Sequence, residues 1–157
     1  MTPGNRTIAA IAGVQTVLTF FWKTVVAAPG VNMPVSMSGY KAREVVIDGA
    51  GAARMKFTTL GGALEFYAVV ITPIDTTGYT ARHAVLSPAG VAVINLTTQA
   101  GTVVLTPASG KIESIFSRAA MAVAPGEYTH FLVLTSPGGR DYPLGSGRFA
   151  VGKGLPA

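Results

Sequence analysis

The feature that most constrains this chain is that it states part of itself twice. Residues 34–66 and 73–105 align without a gap at an offset of 39. Pro34 falls on Pro73, Gly39-Tyr40 on Gly78-Tyr79, and Ala42-Arg43 on Ala81-Arg82. Ala50-Gly51 falls on Ala89-Gly90, Thr58-Thr59 on Thr97-Thr98, and Gly62 on Gly101. In a chain rich in Ala, Gly and Val, single matches carry little weight. Matches kept in order at turn residues mark one supersecondary unit used twice. In each copy Pro fixes φ at the head of a loop, Gly accepts a positive φ, and Tyr opens a strand. On the second copy's strand Tyr79, Ala81 and His83 share one face, and Thr80, Arg82 and Ala84 the other. Arg43 and Arg82 read first as surface arginines whose stems cover apolar neighbours, and only second as ligand contacts.

The pattern around the repeat is that of β structure. Runs of β-branched and aromatic residues alternate with Gly, Pro, Ser and Asp clusters, which predicts strands over 16–25, 40–47, 53–58, 64–71, 79–86, 91–96, 102–105, 111–117, 127–135 and 146–151. Asp48-Gly49 and Ser87-Pro88 are turn dipeptides at equivalent places in the two copies, and Pro137-Gly138-Gly139 is a third turn. One short helix is expected over 117–123, with Ser117 as its cap and Pro125-Gly126 as its stop. Residues 1–7 read as a polar arm. Arg6, the apolar run after it and Ala27-Ala28 imitate a signal peptide, but Gln15, Thr16 and Thr19 interrupt the run and Lys23 follows it. The run is also too short and too polar to span a bilayer as a helix. The fold class is therefore all-β, an Ig-like or Greek-key β-sandwich with a partial N-terminal repeat and one short helix.

Composition adds two constraints. Cysteine is absent, so neither a disulfide nor a thiolate metal site can form. Charged residues make up 12% against 49% hydrophobic, where soluble domains carry roughly 25% charge. A surface so poor in charge suits a subunit that partners cover. The net charge of +5 is uneven: Arg6, Lys23, Lys41, Arg43, Arg54 and Lys56 stand against Glu44 and Asp48 in the chain up to Phe57. No basic run and no interleaved stacking motif accompanies this charge, so nucleic-acid binding is not expected.

The chemistry of a catalyst is not written in the sequence. His83 and His130 are the only histidines, and neither has another ligand at metal-binding spacing. Ser136, His130 and Asp141 could be grouped on paper, as any β protein allows. Glu65, Asp75, Glu113, Glu127 and Asp141 are scattered, with no pair set for glycoside hydrolysis. Gly49-Ala50-Gly51 lacks the strand–helix context of a phosphate loop. No catalytic, cofactor-binding or metal-binding residues are assigned, no cofactor is expected, and the chain is not read as an enzyme. Phe20, Phe21 and Trp22 invite a sugar-binding reading, but three in a row put some into the core; core packing is the expectation.

From about residue 64 to 151 the sequence resembles a recurrent β-sandwich domain of tailed-bacteriophage structural proteins, of the baseplate upper protein N-terminal type. The resemblance rests on Pro73-Ile74-Asp75-Thr76-Thr77-Gly78-Tyr79-Thr80-Ala81-Arg82, then Leu96-Thr97-Thr98 and Gly110-Lys111-Ile112. Pro125-Gly126-Glu127-Tyr128 follows, with Leu132, Leu134, Thr135, Pro137 and Gly139, and Gly147-Arg148-Phe149-Ala150-Val151 closes it. It implies a virion component assembled in the host cytoplasm: a multicopy attachment, decoration or connector subunit on head, neck or tail. Its implied partners are other virion proteins and copies of itself, with no membrane. A carbohydrate-binding or adhesion module on a virion or bacterial surface is the alternative, with a host-surface glycan as ligand and an exposed aromatic platform as its mark.

Residues 16–66 resemble only the first half of that domain. The expected division is 1–61 as a partial repeat serving assembly, 62–151 as the sandwich, and 152–157 as a tail. Half a sandwich leaves apolar faces and strand edges open, which another surface must complete.

Overall fold

A computed structural model describes residues 4–153. The strands are β1 (Gly4–Asn5), β2 (Ile8–Ile11), β3 (Thr16–Phe21), β4 (Lys23–Ala27), β5 (Tyr40–Ile47), β6 (Ala53–Thr59) and β7 (Leu64–Pro73). They continue as β8 (Thr80–Leu86), β9 (Ala92–Thr97), β10 (Val103–Thr106), β11 (Lys111–Phe116), β12 (Gly126–Thr135) and β13 (Asp141–Gly152). The fold is all-β, as the alternation of strand and turn residues predicts. The expected helix at 117–123 does not form. Ser117 does cap a turn there, its Oγ accepting from Ala120 N at 3.1 Å, and Met121 N donates to Ser117 O at 3.0 Å. The turn stops after one winding because Met121 is fully buried and its carbonyl accepts from Gly13 N at 2.8 Å. A 3-10 turn forms instead at Pro107–Ser109.

Two compact units result: Met1–Trp22 with Ile74–Ala157, and Lys23–Pro73. This corrects the expected boundary near residue 61. The first unit is a two-sheet sandwich. One sheet runs β1-β13-β12-β8-β9, with β2 also on β13; the other runs β10-β11-β3. With β2 as A′, β3 as B, β8 as C, β9 as C′, β10 as D, β11 as E, β12 as F and β13 as G, this is the strand order of an immunoglobulin-type sandwich. The sequence reading missed β1 and β2, which pair in parallel with β13 (Gly4↔Gly145, Ile8↔Phe149). It also gave β3 to the N-terminal repeat. In fact β3 pairs along all of β11, from Thr16↔Phe116 to Phe21↔Lys111, so residues 62–151 lack a strand of their own sandwich. The predicted strand 16–25 breaks at Trp22, which is buried against Tyr79 and Tyr142. Trp22 N donates to Gly110 O at 2.8 Å, and Trp22 O accepts from Ile74 N at 3.0 Å. The second unit is thus an insertion between B and C whose flanks are hydrogen-bonded to each other. Of the expected tail, Gly152 ends β13 and the residues after 153 lie outside those described.

The second unit is a four-stranded sheet, β4-β7-β6-β5. The first half of β7 pairs with β6 (Leu64↔Thr58) and its second half with β4 (Val69↔Ala27). One face packs Met55, Phe57 and Val69, with Val25, Met33, Tyr40, Tyr67 and Ile71 around them. Tyr40 and Tyr67 both donate to Glu65 Oε2, at 2.7 and 3.1 Å. The carboxylate bond pushes the Tyr40 hydroxyl pKa up to about 12.

Candidate functional site

The sandwich core carries a polar chain that neither histidine's sequence neighbours announce. His83 on β8 and His130 on β12 are both buried, as is Ser114 on β11 in the opposite sheet. Ser114 Oγ lies 2.8 Å from His83 Nδ1. His83 Nε2 lies 3.1 Å from His130 Nδ1. His130 Nε2 lies 2.8 Å from the carbonyl oxygen of Arg6. A carbonyl can only accept, so His130 carries its proton on Nε2 and accepts at Nδ1. His83 must then donate from Nε2 and accept at Nδ1 from the Ser114 hydroxyl. Every ring nitrogen is satisfied and both rings are neutral. Burial keeps them so: it pushes His83 down to about 3 and lowers His130 as well.

The chain's chemistry is that of a pin. Ser114 cannot serve as a nucleophile, because it is fully buried and gives its proton to a nitrogen that must stay unprotonated. The His83 ring meets Phe20 and Phe116 edge-on, the His130 ring meets Phe149, and the Arg6 guanidinium lies 4.9 Å from the Phe20 ring centre. The pin links both sheets to the arm that joins β1 to β2. In immunoglobulin domains a tyrosine near the start of strand F bonds back to the chain just upstream, and two residues later a cysteine bridges to strand B under a tryptophan of strand C. Here Tyr128 donates to Ala124 O at 2.7 Å, His130 takes the cysteine's place, and His83 stands on strand C. The sequence reading missed the pair because 47 residues separate its members. Tyr128-x-His130 where that fold has Tyr-x-Cys was the available signal.

Ser136, His130 and Asp141 are not brought together. Ser136 Oγ accepts from Arg140 N at 3.0 Å, and Asp141 accepts from Thr135 at 2.7 Å. No three of His, Asp and Glu are grouped among the described residues. Of the aromatic trio, Trp22 is buried, Phe20 packs on the core, and Phe21 is 57% exposed. Among these three, a single exposed ring makes no platform. Arg43 is exposed on β5, and Arg82 lies on the outer face of β8.

The second unit shows its other face openly. Val26, Leu64, Phe66 and Val70 are between 44% and 55% exposed. Strand register puts them together: Val26 opposes Val70, Phe66 opposes Lys56, and Leu64 opposes Thr58. Lys56 pairs with Glu44, and Arg54 with Asp48 at 3.0 Å. Backbone N–H groups of Ala52 and Ala50, with Arg54, hold the Asp48 carboxyl below its usual range. Monomeric proteins seldom leave both faces of a sheet this apolar. Compared with family models and with curated proteins, the chain matches none.

Proposed function

We propose that the protein is a structural subunit of a tailed-bacteriophage virion, present in many copies on head, neck or tail, and that the inserted sheet is its assembly element. The row Val26, Val70, Phe66 and Leu64 carries this reading. A 51-residue unit with three buried apolar side chains, of which Phe57 alone is fully buried, has little core of its own. Covering its second face supplies the missing burial, at about 25 cal/mol for each Å² removed from water. The occupant argued for is a second copy of this chain. Lys56, Glu44, Arg54 and Asp48 flank the row with both signs of charge, so a twofold-related copy can meet each charge with its opposite. The immunoglobulin-type sandwich and the motif resemblance over 64–151 support the virion assignment.

Sedimentation and light scattering of the full chain test the assembly. The expected result is an oligomer that the double variant Phe66→Lys, Val70→Lys converts to monomer while the sandwich unfolds at its usual temperature. A stable monomer at high concentration overturns the assembly reading. Peptide mass spectrometry and density in a purified particle test the virion assignment, and absence from the particle overturns it.

A further inference from the structure

We infer that the sandwich carries a binding site for the carboxylate end of an acidic sugar, centred on Arg82. A cleft of about 230 Å³ opens at the start of β8, the end of β9 and the end of β12. Thr80, Arg82, Thr97, Thr98, Gln99 and Thr135 line it. This is the end of the sandwich, on the G-F-C-C′ sheet, where variable immunoglobulin domains carry their binding loops. Drug-sized ligands occupy apolar pockets of roughly 300 Å³ and more. This cleft is smaller, and six of its seven lining residues are polar, Ala81 being the exception, which suits one sugar-sized group bearing hydroxyls.

Arg82 is held in place and left unneutralised. Its Nε donates to Asn95 Oδ1 at 2.7 Å, and its guanidinium lies 5.5 Å from the centre of the Phe131 ring. These contacts fix the side chain before a ligand arrives, which lowers the ordering cost of binding. Among the described residues no carboxylate pairs with it, although Arg54, Arg148, Lys56 and Lys111 all have such partners. A planar fork with free donors is suited to a carboxylate.

The remaining lining selects hydroxyls around that carboxylate. The Thr80 hydroxyl and the Gln99 amide make no hydrogen bond within the described residues, so both can donate and accept. Thr135 gives its proton to Asp141 at 2.7 Å, which leaves its oxygen as an acceptor for a sugar hydroxyl. Asp141 is tied by that bond and does not line the cleft. Thr97 and Thr98 accept backbone N–H groups of Ala100 and Ala81 and keep their own protons to donate. A uronic acid offers what this set needs, an anion flanked by hydroxyls on one ring. The inference is independent of the assembly face and stands or falls apart from it.

The test titrates isotope-labelled full-length protein with glucuronate, glucose, acetate and inorganic phosphate in separate runs, following backbone amide shifts. Glucuronate is expected to move Arg82, Thr98, Gln99 and Thr135. Glucose and acetate should each bind about tenfold more weakly, since each lacks one half of the recognised group. Arg82→Gln should weaken glucuronate by about tenfold and leave glucose unchanged. If that variant disturbs the fold, Gln99→Ala at an exposed turn takes its place, with a smaller loss for glucuronate and none for acetate. Phosphate or acetate matching glucuronate would overturn the sugar. Glucose matching it would overturn the role of Arg82. No shift at these amides with any probe would overturn the site.

Discussion

The two copies of the repeat begin alike and end differently, and the difference shows how one motif serves two architectures. Tyr40 N donates to Met37 O, and Tyr79 N to Thr76 O, both at 3.0 Å. Gly51 N bonds Asp48 O at 2.9 Å, as Gly90 N bonds Ser87 O at 2.8 Å. Gly62 N bonds Thr59 O at 2.9 Å, and Gly101 N bonds Thr98 O at 3.0 Å. Gly62 and Gly101 have φ of 88° and 68°, a region that L residues with side chains enter at a cost. After that turn the copies part. In the first, β7 folds back along β6 and the same sheet continues. In the second, β10 leaves β9 and pairs with β11 in the opposite sheet, Leu105 against Ile112. Thr102 stands where the first copy has Ala63. Its hydroxyl accepts from Thr97 N at 2.9 Å, and its own N–H bonds Thr97 O at 3.1 Å. That clasp turns the corner, and alanine cannot make it.

The comparison breaks most severely under truncation. Residues 62–157 alone lack β1, β2 and β3, and the expected outcome is loss of the cooperative unfolding transition by calorimetry. Replacing Lys23–Pro73 with a two-residue linker should retain the transition, because Trp22 O and Ile74 N are already 3.0 Å apart. A folded 62–157 chain would refute the assignment of β3 to the sandwich.

Next in size is Phe57→Ala, which removes the one fully buried ring of the inserted sheet. A loss of about 4 kcal/mol exceeds what so small a core is expected to hold. Hydrogen exchange should show β5, β6 and β7 open while β8 and β12 keep their protection.

Sharper still is the pin. His83→Leu strands Ser114 Oγ and His130 Nδ1, at a cost of about 3 kcal/mol. Adding Ser114→Ala and His130→Leu should recover part of it, because an apolar core tolerates apolar replacements better than orphaned polar groups. The wild-type fold also has a pH signature. With His83 held below its ordinary 6.5, the unfolded chain takes up the proton first. Stability is therefore complete above pH 6.5 and falls by up to about 1.4 kcal/mol per pH unit as pH drops toward 3. Denaturant melts of the triple variant should lose this contribution. A wild-type stability flat from pH 7 to pH 4 would contradict the neutral chain. The smallest effect expected is that of Tyr128→Phe, about 1 kcal/mol for its bond to Ala124 O.

Local chemistry made much of this legible in advance. The turn glycines, the strand runs and the repeat all express constraints that act within a few residues, and β5 occupies the residues expected. At β3 the alternation also held, with Val17 and Phe21 exposed and Leu18, Phe20 and Trp22 turned inward. What failed was long-range. A six-residue strand reads the same whichever partner it finds, so β3 was assigned to its sequence neighbours when the unpaired side of β11 claimed it.

The amino-acid sequence by itself determined an all-β chain with one motif used twice, because side-chain alternation and backbone φ at Gly and Pro are local properties. Only the tertiary structure decided that the first copy is an insertion, that His83 meets His130, and that Arg82 borders a cleft. Each of these depends on which strand edges pair across 40 or more residues of chain. That choice is made by the burial and hydrogen bonding of the whole core, which no short stretch contains.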